Sequence, residues 1–173
     1  MPQACSASAL PAWPKLHRLI LQDFAQESVV GSIVESSGTV SFTENFADAA
    51  LYFYNDSFAV ASNVTILSFD YAFTFGEFDS GDYLQFNING NEEWYTDVNG
   101  PGSFGIDLSS YQGQTISLDW GLIWNGDGYA GTTASVSNID LATAPVPVPA
   151  PLFLLGSGLA GLLVAKRKKQ KSC

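Results

Sequence analysis

Apolar and polar residues alternate with a period of two along much of this chain. The clearest run places apolar side chains at Leu67, Phe69, Tyr71, Phe73 and Phe75, and the pattern recurs from Leu84 to Ile88 and from Ile116 to Trp124. This period is typical of a β-strand with one buried face. No stretch between residues 26 and 142 keeps the 3.6-residue period of a helix. The pattern therefore predicts an all-β domain over residues 26–142.

Turn residues separate these runs. Asn89-Gly90 is the preferred pair for a type I′ hairpin, because both residues tolerate positive φ, and further turns are expected at Asn99-Gly100-Pro101-Gly102 and Asn125-Gly126-Asp127-Gly128. Shorter strands are expected at Val29–Val34, Thr39–Thr43, Ala50–Tyr54, Trp94–Val98, Phe104–Leu108 and Thr132–Leu141. About eight to ten short strands favour a single antiparallel β-sandwich of the jelly-roll kind.

A different pattern begins near residue 143. Prolines alternate from Pro145 to Pro151, which predicts an extended spacer over residues 143–151. Residues 152–165 carry no charge and predict a hydrophobic helix about 21 Å long. Basic side chains beyond it can reach the headgroups of a ~30 Å bilayer core. We therefore predict a transmembrane helix over residues 152–165 and a basic tail over residues 166–173.

The order of spacer, apolar helix and basic end resembles the PEP-CTERM sorting signal of Gram-negative bacteria. The residues that match its motif are Val146, Pro147, Val148, Pro149 and Ala150, with Val148 where the family has Glu, and the basic stop is Lys166, Arg167, Lys168 and Lys169. The resemblance covers about residues 145–171. It implies recognition in the inner membrane by an exosortase, a Cys-dependent transpeptidase-like enzyme, and cleavage near the Pro-x-Pro element. The protein would then pass to the cell surface or extracellular matrix; a permanent anchor is the alternative.

Charge also divides the chain. All 17 Asp and Glu lie between Leu19 and Ala165, where there is no Lys or Arg, although the net charge of the whole chain is only −10. Phosphate binding needs clustered cations, so we expect no nucleic-acid partner for the acidic body. The one-sided basic cluster predicts that the C-terminus is cytoplasmic and the domain lies outside.

The first 25 residues fit export poorly. A signal peptide needs an apolar run of about 7–15 residues, but only Leu19-Ile20-Leu21 precede Gln22. Either export is unconventional or the assigned start has lost a signal, and we favour the second interpretation. Residues 1–25 are therefore expected to be an unstructured leader or a misassigned start.

The body resembles the jelly-roll modules of carbohydrate-binding and laminin-G-like type. The resemblance is carried, in order, by residues 67–71, 81–90, 104–118 and 134–141. It implies a sugar-binding face or loop, and in many such modules a structural Ca²⁺.

The body offers little for catalysis. The only histidine is His17, and Cys5 and Cys173 lie at the two ends of the chain, so neither a nucleophilic triad nor a zinc site is expected. Glu92 and Glu93 are neighbours that would point to opposite faces of a strand, so they do not form a carboxylate pair. We expect no enzymatic activity.

Acidic loop residues are candidate ligands for Ca²⁺, which takes six to eight oxygen atoms. The candidates are Glu77, Asp79 and Asp82 in one loop, with Asp127 and Asp140 further along the chain; Ser80 and Asn125 could add oxygens. The alternative is an ordinary solvated turn.

Exposed aromatic residues stack on sugar rings beside amide and carboxylate groups. Trp94, Tyr95, Trp124 and Tyr129 are the candidates, although aromatics at strand spacing are more often core, as we expect for Trp120. Two function classes remain. One is an exported, non-catalytic β-sandwich that binds polysaccharide, and the other is a structural or adhesive envelope protein without a small-molecule ligand.

Overall fold

The structure is a computed structural model that describes residues 16–19, 21–28, 31–45, 50–126 and 128–144. These residues form eleven strands and two short 3-10 helices, Leu21–Asp23 and Ser109–Tyr111. The strands are β1 (Leu16–Arg18), β2 (Ala25–Glu27), β3 (Ser32–Ser36), β4 (Thr39–Thr43), β5 (Ala50–Ala59), β6 (Val64–Thr74), β7 (Tyr83–Ile88), β8 (Asn91–Thr96), β9 (Gly100–Asp107), β10 (Thr115–Ile123) and β11 (Thr133–Thr143).

The strands form two antiparallel sheets. The first sheet has the order β3-β4-β11-β6-β9, with β1 also paired to β11, and the second has the order β2-β5-β10-β7-β8. From β4 onwards the chain alternates between the sheets, except at the β7–β8 hairpin. This connectivity is that of a jelly roll. The predicted antiparallel β-sandwich is therefore confirmed, whereas the predicted spacer and C-terminal helix lie outside the described residues.

The core lies between the sheets and uses the inward positions of the alternating pattern. Leu67, Phe69 and Phe73 on β6 are fully buried. Trp120 on β10 is also fully buried, and its ring centroid lies 4.9 Å from that of Phe86 and 5.6 Å from that of Phe69. Trp120 is thus a core residue, as predicted.

The sandwich begins earlier than the predicted boundary at residue 26. Strand β1 pairs with β11, Leu19 and Leu21 are buried in the core, and β2 pairs with β5. The structure therefore includes residues that the sequence assigned to an unstructured leader. Strands of three residues are too short to show a period of two. Pairing with β11 and with β5, rather than the local sequence, therefore determines β1 and β2, respectively.

Two turns were predicted from glycine-containing segments on either side of β8, and only the first is present. Asn89 and Gly90 have φ values of 52° and 74°, as the predicted type I′ hairpin requires. In contrast, Gly100, Pro101 and Gly102, predicted as a turn, belong to β9. Strand β9 is an edge strand of the first sheet, where proline is tolerated because one side of the strand needs no donor.

Candidate functional site

A groove of about 600 Å³ lies on the outer face of the second sheet. The strand register places Asp119 on β10 opposite Tyr54 on β5 and Asn87 on β7. Side chains along a strand point to the two faces in turn, so these outward residues alternate with the core residues of the same strands. The groove is also lined by Glu27, Tyr52, Asp56, Gln85 and Glu92.

Gly121 shapes the floor of the groove. A Cβ atom at this position would lie 2.7 Å from Cε1 and 2.9 Å from Cδ1 of Tyr52. The Tyr52 ring therefore lies over the backbone of β10, and glycine leaves the room that the ring needs. Gln85 lies on the other side of Gly121 in the register. The sheet thus holds an aromatic ring in place next to an amide.

Carboxylates give the groove a negative potential. Asn87 Nδ2 donates a hydrogen bond to Asp119 Oδ1 at 2.5 Å. Burial raises the pKa of Asp119, the hydrogen bond from Asn87 opposes this shift, and the charge of Asp56 adds to it. Burial also raises the pKa of Tyr52, with a further contribution from the charge of Asp119.

Gln85 adds a neutral polar group to the groove. It is 9% exposed, and within the described part of the chain its side chain has no hydrogen-bond partner. An amide has two donors and a carbonyl acceptor, and Gln85 lines the open groove. The groove therefore presents a donor and an acceptor to a ligand.

A second polar site lies where three connections meet. Glu44 follows β4, Asp79 and Asp82 lie between β6 and β7, and Thr132 precedes β11. One carboxylate oxygen of each acid lies within 4.8 Å of the others. Glu44, Asp79 and Asp82 are only 5%, 8% and 0% exposed. We call these three residues the carboxylate cluster.

Each acid in the carboxylate cluster uses one oxygen within the protein. Thr132 donates to Glu44 Oε2 from its backbone N–H at 3.2 Å and to Asp79 Oδ2 from its hydroxyl at 2.5 Å. The N–H of Asn125 donates to Asp82 Oδ1 at 3.0 Å. The other oxygen of each acid is buried and has no hydrogen-bond partner among the residues that the structure describes. Buried acceptors without partners are rare in native proteins, so the three oxygens mark a place where a bound cation or bound protons would supply the missing partners.

The cluster concentrates negative charge in a buried place. Burial, together with the charges of Asp82 and Asp79, raises the pKa of Glu44 to about 8. Burial also raises the pKa of Asp82. The sequence has no Lys or Arg between Leu19 and Ala165, so no basic side chain of that stretch neutralises the cluster. A bound cation or bound protons would do so.

The donor set favours a hard divalent cation. The cluster has carboxylate oxygens and neither His nor Cys, which suits Ca²⁺ or Mg²⁺ rather than Zn²⁺. Mg²⁺ usually keeps several of its waters, whereas Ca²⁺ accepts flexible coordination by protein oxygens. The carboxylate oxygens of the cluster therefore fit a hard divalent cation such as Ca²⁺.

The structure brings together two of the five predicted metal ligands. Asp79 and Asp82 belong to the carboxylate cluster, whereas Glu77 is exposed and outside it. Asp140 pairs with Ser68 near the far end of β11, while the cluster adjoins the start of that strand. Asp127 lies outside the described residues.

Glu44 was missed by sequence reasoning. It follows an ordinary alternating strand, and nothing in its local sequence separates it from the other acids of the body. It reaches the cluster because β4 pairs with β11, which places it beside Thr132: its N–H donates to the carbonyl of Thr132 at 3.1 Å. Only this long-range pairing could have identified it.

Two predicted sugar-stacking residues are neighbours on β8 but point to opposite faces. Trp94 packs in the core, with its ring centroid 5.6 Å from that of Phe69 and 4.6 Å from that of Tyr71. Tyr95 is 55% exposed and lies opposite Gln85 on the outer face of the second sheet. Tyr95 is therefore on the same face as the groove, and Trp94 is not.

The other two predicted aromatics follow β10. Trp124 is half-buried, and Tyr129 is 48% exposed with its ring centroid 6.2 Å from that of Phe78. Neither residue lines the groove. Tyr52 and Tyr54, which do line it, were not among the predicted residues, because alternation alone does not reveal which strands face a groove.

The predicted sorting signal lies outside the described residues. This includes Val146 to Ala150, the apolar segment 152–165 and Lys166 to Lys169. Within the described part of the chain, no helix has the length and apolar character needed to cross a membrane. The resemblance to a PEP-CTERM signal therefore rests on the sequence.

Comparisons with known proteins give similarity of fold. No protein-family model matches the sequence, and no curated protein matches it. The secreted serine protease VesC from Vibrio cholerae is 13% identical with a TM-score of 0.50, over 62% of this chain and 22% of the protease. A family 61 carbohydrate-binding module in complex with β-1,4-galactotriose is 11% identical with a TM-score of 0.49, over 72% of this chain and 90% of the module. A family 29 carbohydrate-binding module is 11% identical with a TM-score of 0.46, over 76% of this chain and 86% of the module. At these identities the likeness does not extend to a ligand or an activity.

Proposed function

We propose that this chain is a non-catalytic exported protein whose β-sandwich binds polysaccharide in the groove on the second sheet. The observation that carries the proposal is the Tyr52 ring held over Gly121, beside the amides of Gln85 and Asn87. An aromatic ring stacks on the apolar face of a sugar, while amides and carboxylates bond its hydroxyls. A groove of about 600 Å³ is within the size range of ligand sites.

The groove itself, and not the comparisons, supports this proposal. Two of the structures with a similar fold are carbohydrate-binding modules by name, but their identity of 11% is too low to transfer a ligand. The residues of the groove are those of this chain, and they supply the ring, the hydrogen bonds and the space that sugar binding needs.

A glycan array with the full chain tests sugar binding. We expect specific hits, and we expect Tyr52→Ala to lower the affinity roughly tenfold because the stacking ring is lost. Tyr129→Ala is the matched control, since it removes an exposed tyrosine that does not line the groove. An array without hits, together with self-association of the chain, would contradict the proposal and favour a structural or adhesive protein.

We also propose that the tail sorts the protein to the cell surface or extracellular matrix. Its support is the resemblance of about residues 145–171 to the PEP-CTERM signal. In transit the chain would cross the inner membrane once through residues 152–165, with the basic end in the cytoplasm. An exosortase would then cut near Pro147-Val148-Pro149.

Mass spectrometry of the mature protein tests the sorting proposal. Protein released from the native cell surface is expected to end near Pro149 and to lack the basic residues. Replacing Lys166, Arg167, Lys168 and Lys169 by Ser is expected to cause loss of surface protein, because the stop that orients the helix is removed. A surface protein that still ends at Cys173 would contradict cleavage and favour a permanent anchor.

The carboxylate cluster supports a second function, the binding of a structural Ca²⁺ ion. The specific observation is the three buried carboxylate oxygens that have no partner within the described part of the chain, Glu44 Oε1, Asp79 Oδ1 and Asp82 Oδ2. Burying uncompensated charge is strongly unfavourable. A divalent cation between these oxygens would replace their mutual repulsion by attraction. It would also tie the end of β4 to the β6–β7 connection, and so stabilise this end of the sandwich.

Thermal unfolding of the full chain tests Ca²⁺ binding. We expect the melting temperature to rise with Ca²⁺, to rise less with Mg²⁺ and to fall with excess EDTA, because an ion that binds only the folded state stabilises it. Asp82→Asn should abolish the response to Ca²⁺, whereas Glu77→Gln, which neutralises a nearby exposed acid, should keep it. If neither Ca²⁺ nor EDTA changes the melting temperature, the cluster does not bind Ca²⁺, and bound protons neutralise it instead.

A further inference from the structure

We infer that the groove selects polysaccharides that carry free amino groups, that is, polymers of cationic hexosamines, and rejects those rich in uronic acid or sulfate. This selectivity rests on the proposed function, because it specifies which sugars the same groove takes. The aromatic floor makes sugar binding possible, and the charges around it determine which sugar binds.

Acidic residues are concentrated at this groove. Glu27, Asp56, Glu92 and Asp119 line it, and the sequence between Leu19 and Ala165 contains no Lys or Arg to offset them. On the outer face of the first sheet, one pocket is lined by Ser, Thr, Ala and Phe without any acid, and two others each contain a single acid, Asp70 or Asp107. The acidity of the groove is thus a property of this face of the sandwich.

Asp70 shows how this fold satisfies a carboxylate. Its Oδ2 accepts a hydrogen bond from Asn138 at 2.8 Å and its Oδ1 accepts one from Ser103 at 2.5 Å, and these bonds lower its pKa. Among the described residues, Asp119 receives one side-chain hydrogen bond, from Asn87, and burial raises its pKa. The fold thus leaves the charge of Asp119 poorly compensated, and a cationic ligand would stabilise it.

The carboxylates are spread across the whole face. Glu27 lies on the edge strand β2, Asp119 on the central strand β10 and Glu92 on the opposite edge strand β8. Neighbouring strands are about 4.8 Å apart, so five strands span roughly 19 Å. A glycan that lies across the strands would meet an acid at each end and one in the middle. Amino groups that recur along a polymer match this spacing of charge.

The chemistry of the two partners is complementary. An ammonium group has three donors and no acceptor, whereas a carboxylate only accepts. In a half-buried groove their attraction is less screened than in free solution. A uronate or sulfate would meet like charges there and would lose hydration without gaining a cation. Gln85, 9% exposed and without a side-chain partner among the described residues, remains to bond a hydroxyl of the same sugar.

Calorimetric titration of the full chain with matched oligosaccharides tests the selectivity. The probes are oligomers of equal length and linkage built from glucosamine, glucose or a uronic acid, titrated below the pKa of the amine. We expect the glucosamine oligomer to bind roughly tenfold more tightly than the glucose oligomer, with the difference shrinking at high salt. The uronic acid oligomer should not bind. Equal affinities for glucosamine and glucose would overturn the selectivity and leave the proposed function standing. Binding of no oligomer would also overturn the selectivity, and together with a glycan array without hits it would overturn the proposed function.

Paired charge-neutralising variants localise the effect. Glu27→Gln with Glu92→Gln should remove the preference for glucosamine, while Glu35→Gln with Glu77→Gln changes the net charge equally outside the groove and should keep it. A lysine-rich peptide is the non-sugar probe. If it binds as tightly as the glucosamine oligomer, and Tyr52→Ala leaves both affinities unchanged, the groove is a general cation site and the inference is wrong.

Discussion

The two outer faces of the sandwich follow the same alternation but carry different chemistry. On the first sheet, Ser135 lies opposite Ala72 and Ser41, and small residues dominate the face. On the second sheet, Asp119 lies opposite Tyr54 and Asn87, and aromatic and acidic residues surround it. Small polar residues are enough to solvate an outer face, as the first sheet shows. The second face therefore carries the side chains on which the proposed binding role depends, and the first face does not.

The space above an outward-facing glycine also differs between the two faces. Gly105 and Gly121 both point outward from their sheets. The nearest atom to a Cβ at Gly105 would be 3.8 Å away, which is an ordinary contact, whereas a Cβ at Gly121 would lie 2.7 Å from the Tyr52 ring. Glycine at 121 is required by a side chain above it, and glycine at 105 is not.

The largest loss of stability is expected from Trp94→Ala. Comparing it with Tyr95→Ala tests which of these two neighbours packs in the core and which lies on the second face. Trp94 packs against Phe69 and Tyr71, so its loss should lower the free energy of unfolding by about 3 kcal/mol. Tyr95→Ala, on the outer face, should change stability by less than about 1 kcal/mol. Urea unfolding of both variants measures this, and comparable losses would place Tyr95 in the core as well.

The next largest effect is a loss of sugar affinity, expected at Gly121 and not at Gly105. Gly121→Val should reduce polysaccharide affinity by more than roughly tenfold, because the side chain displaces the Tyr52 ring from the floor of the groove. Gly105→Val introduces the same side chain on the first sheet, where there is room for it, and should leave affinity unchanged. Binding that survives Gly121→Val would show that the second face is not the sugar site.

The sequence predicted the sandwich because alternation is a local signal. Thr39–Thr43 was predicted with its observed bounds, and the Asn89-Gly90 hairpin was also predicted, since turn chemistry and period two lie within a few residues of each other. Strands β1 and β2 were missed because three residues carry no period. Pro101 was misread as part of a turn, because the sequence does not show that its strand lies at a sheet edge.

The candidate sites were less predictable than the fold. Asp79 and Asp82 were expected together because they share a loop, but Glu44 joins them only through the pairing of β4 with β11. Tyr52 belongs to the groove because β5 pairs with β10 at Gly121. Both sites depend on which strands become neighbours, and one chain's alternation does not contain that information.

The smallest effect, and the most direct contrast between the faces, is expected from Asp119→Asn and Asp70→Asn. Burial raises the pKa of Asp119, so its ionised form is disfavoured in the folded state. Stability therefore falls as the pH rises from the unfolded value of about 3.9 through the folded pKa. Asp119→Asn removes this penalty while its amide oxygen can still accept the bond from Asn87. The variant should unfold at a temperature roughly 1–2 °C higher at pH 7.

The pKa of Asp70 is shifted in the opposite direction, so its effect on stability has the opposite sign. Hydrogen bonds from Asn138 and Ser103 lower its pKa, so its contribution to stability is present above the unfolded value of about 3.9 and is lost as the pH falls through the folded pKa. Asp70→Asn should therefore lower the melting temperature at pH 7, and the loss should disappear in strong acid. Melting curves of both variants from pH 2 to pH 8 measure the two signs, and the binding assay gives the third readout. Shifts of the same sign at pH 7 would mean that the carboxylates of the two faces are equally well satisfied. Opposite shifts, with sugar affinity reduced only by Asp119→Asn, would mean that the second face keeps a destabilising charge for the sake of its ligand.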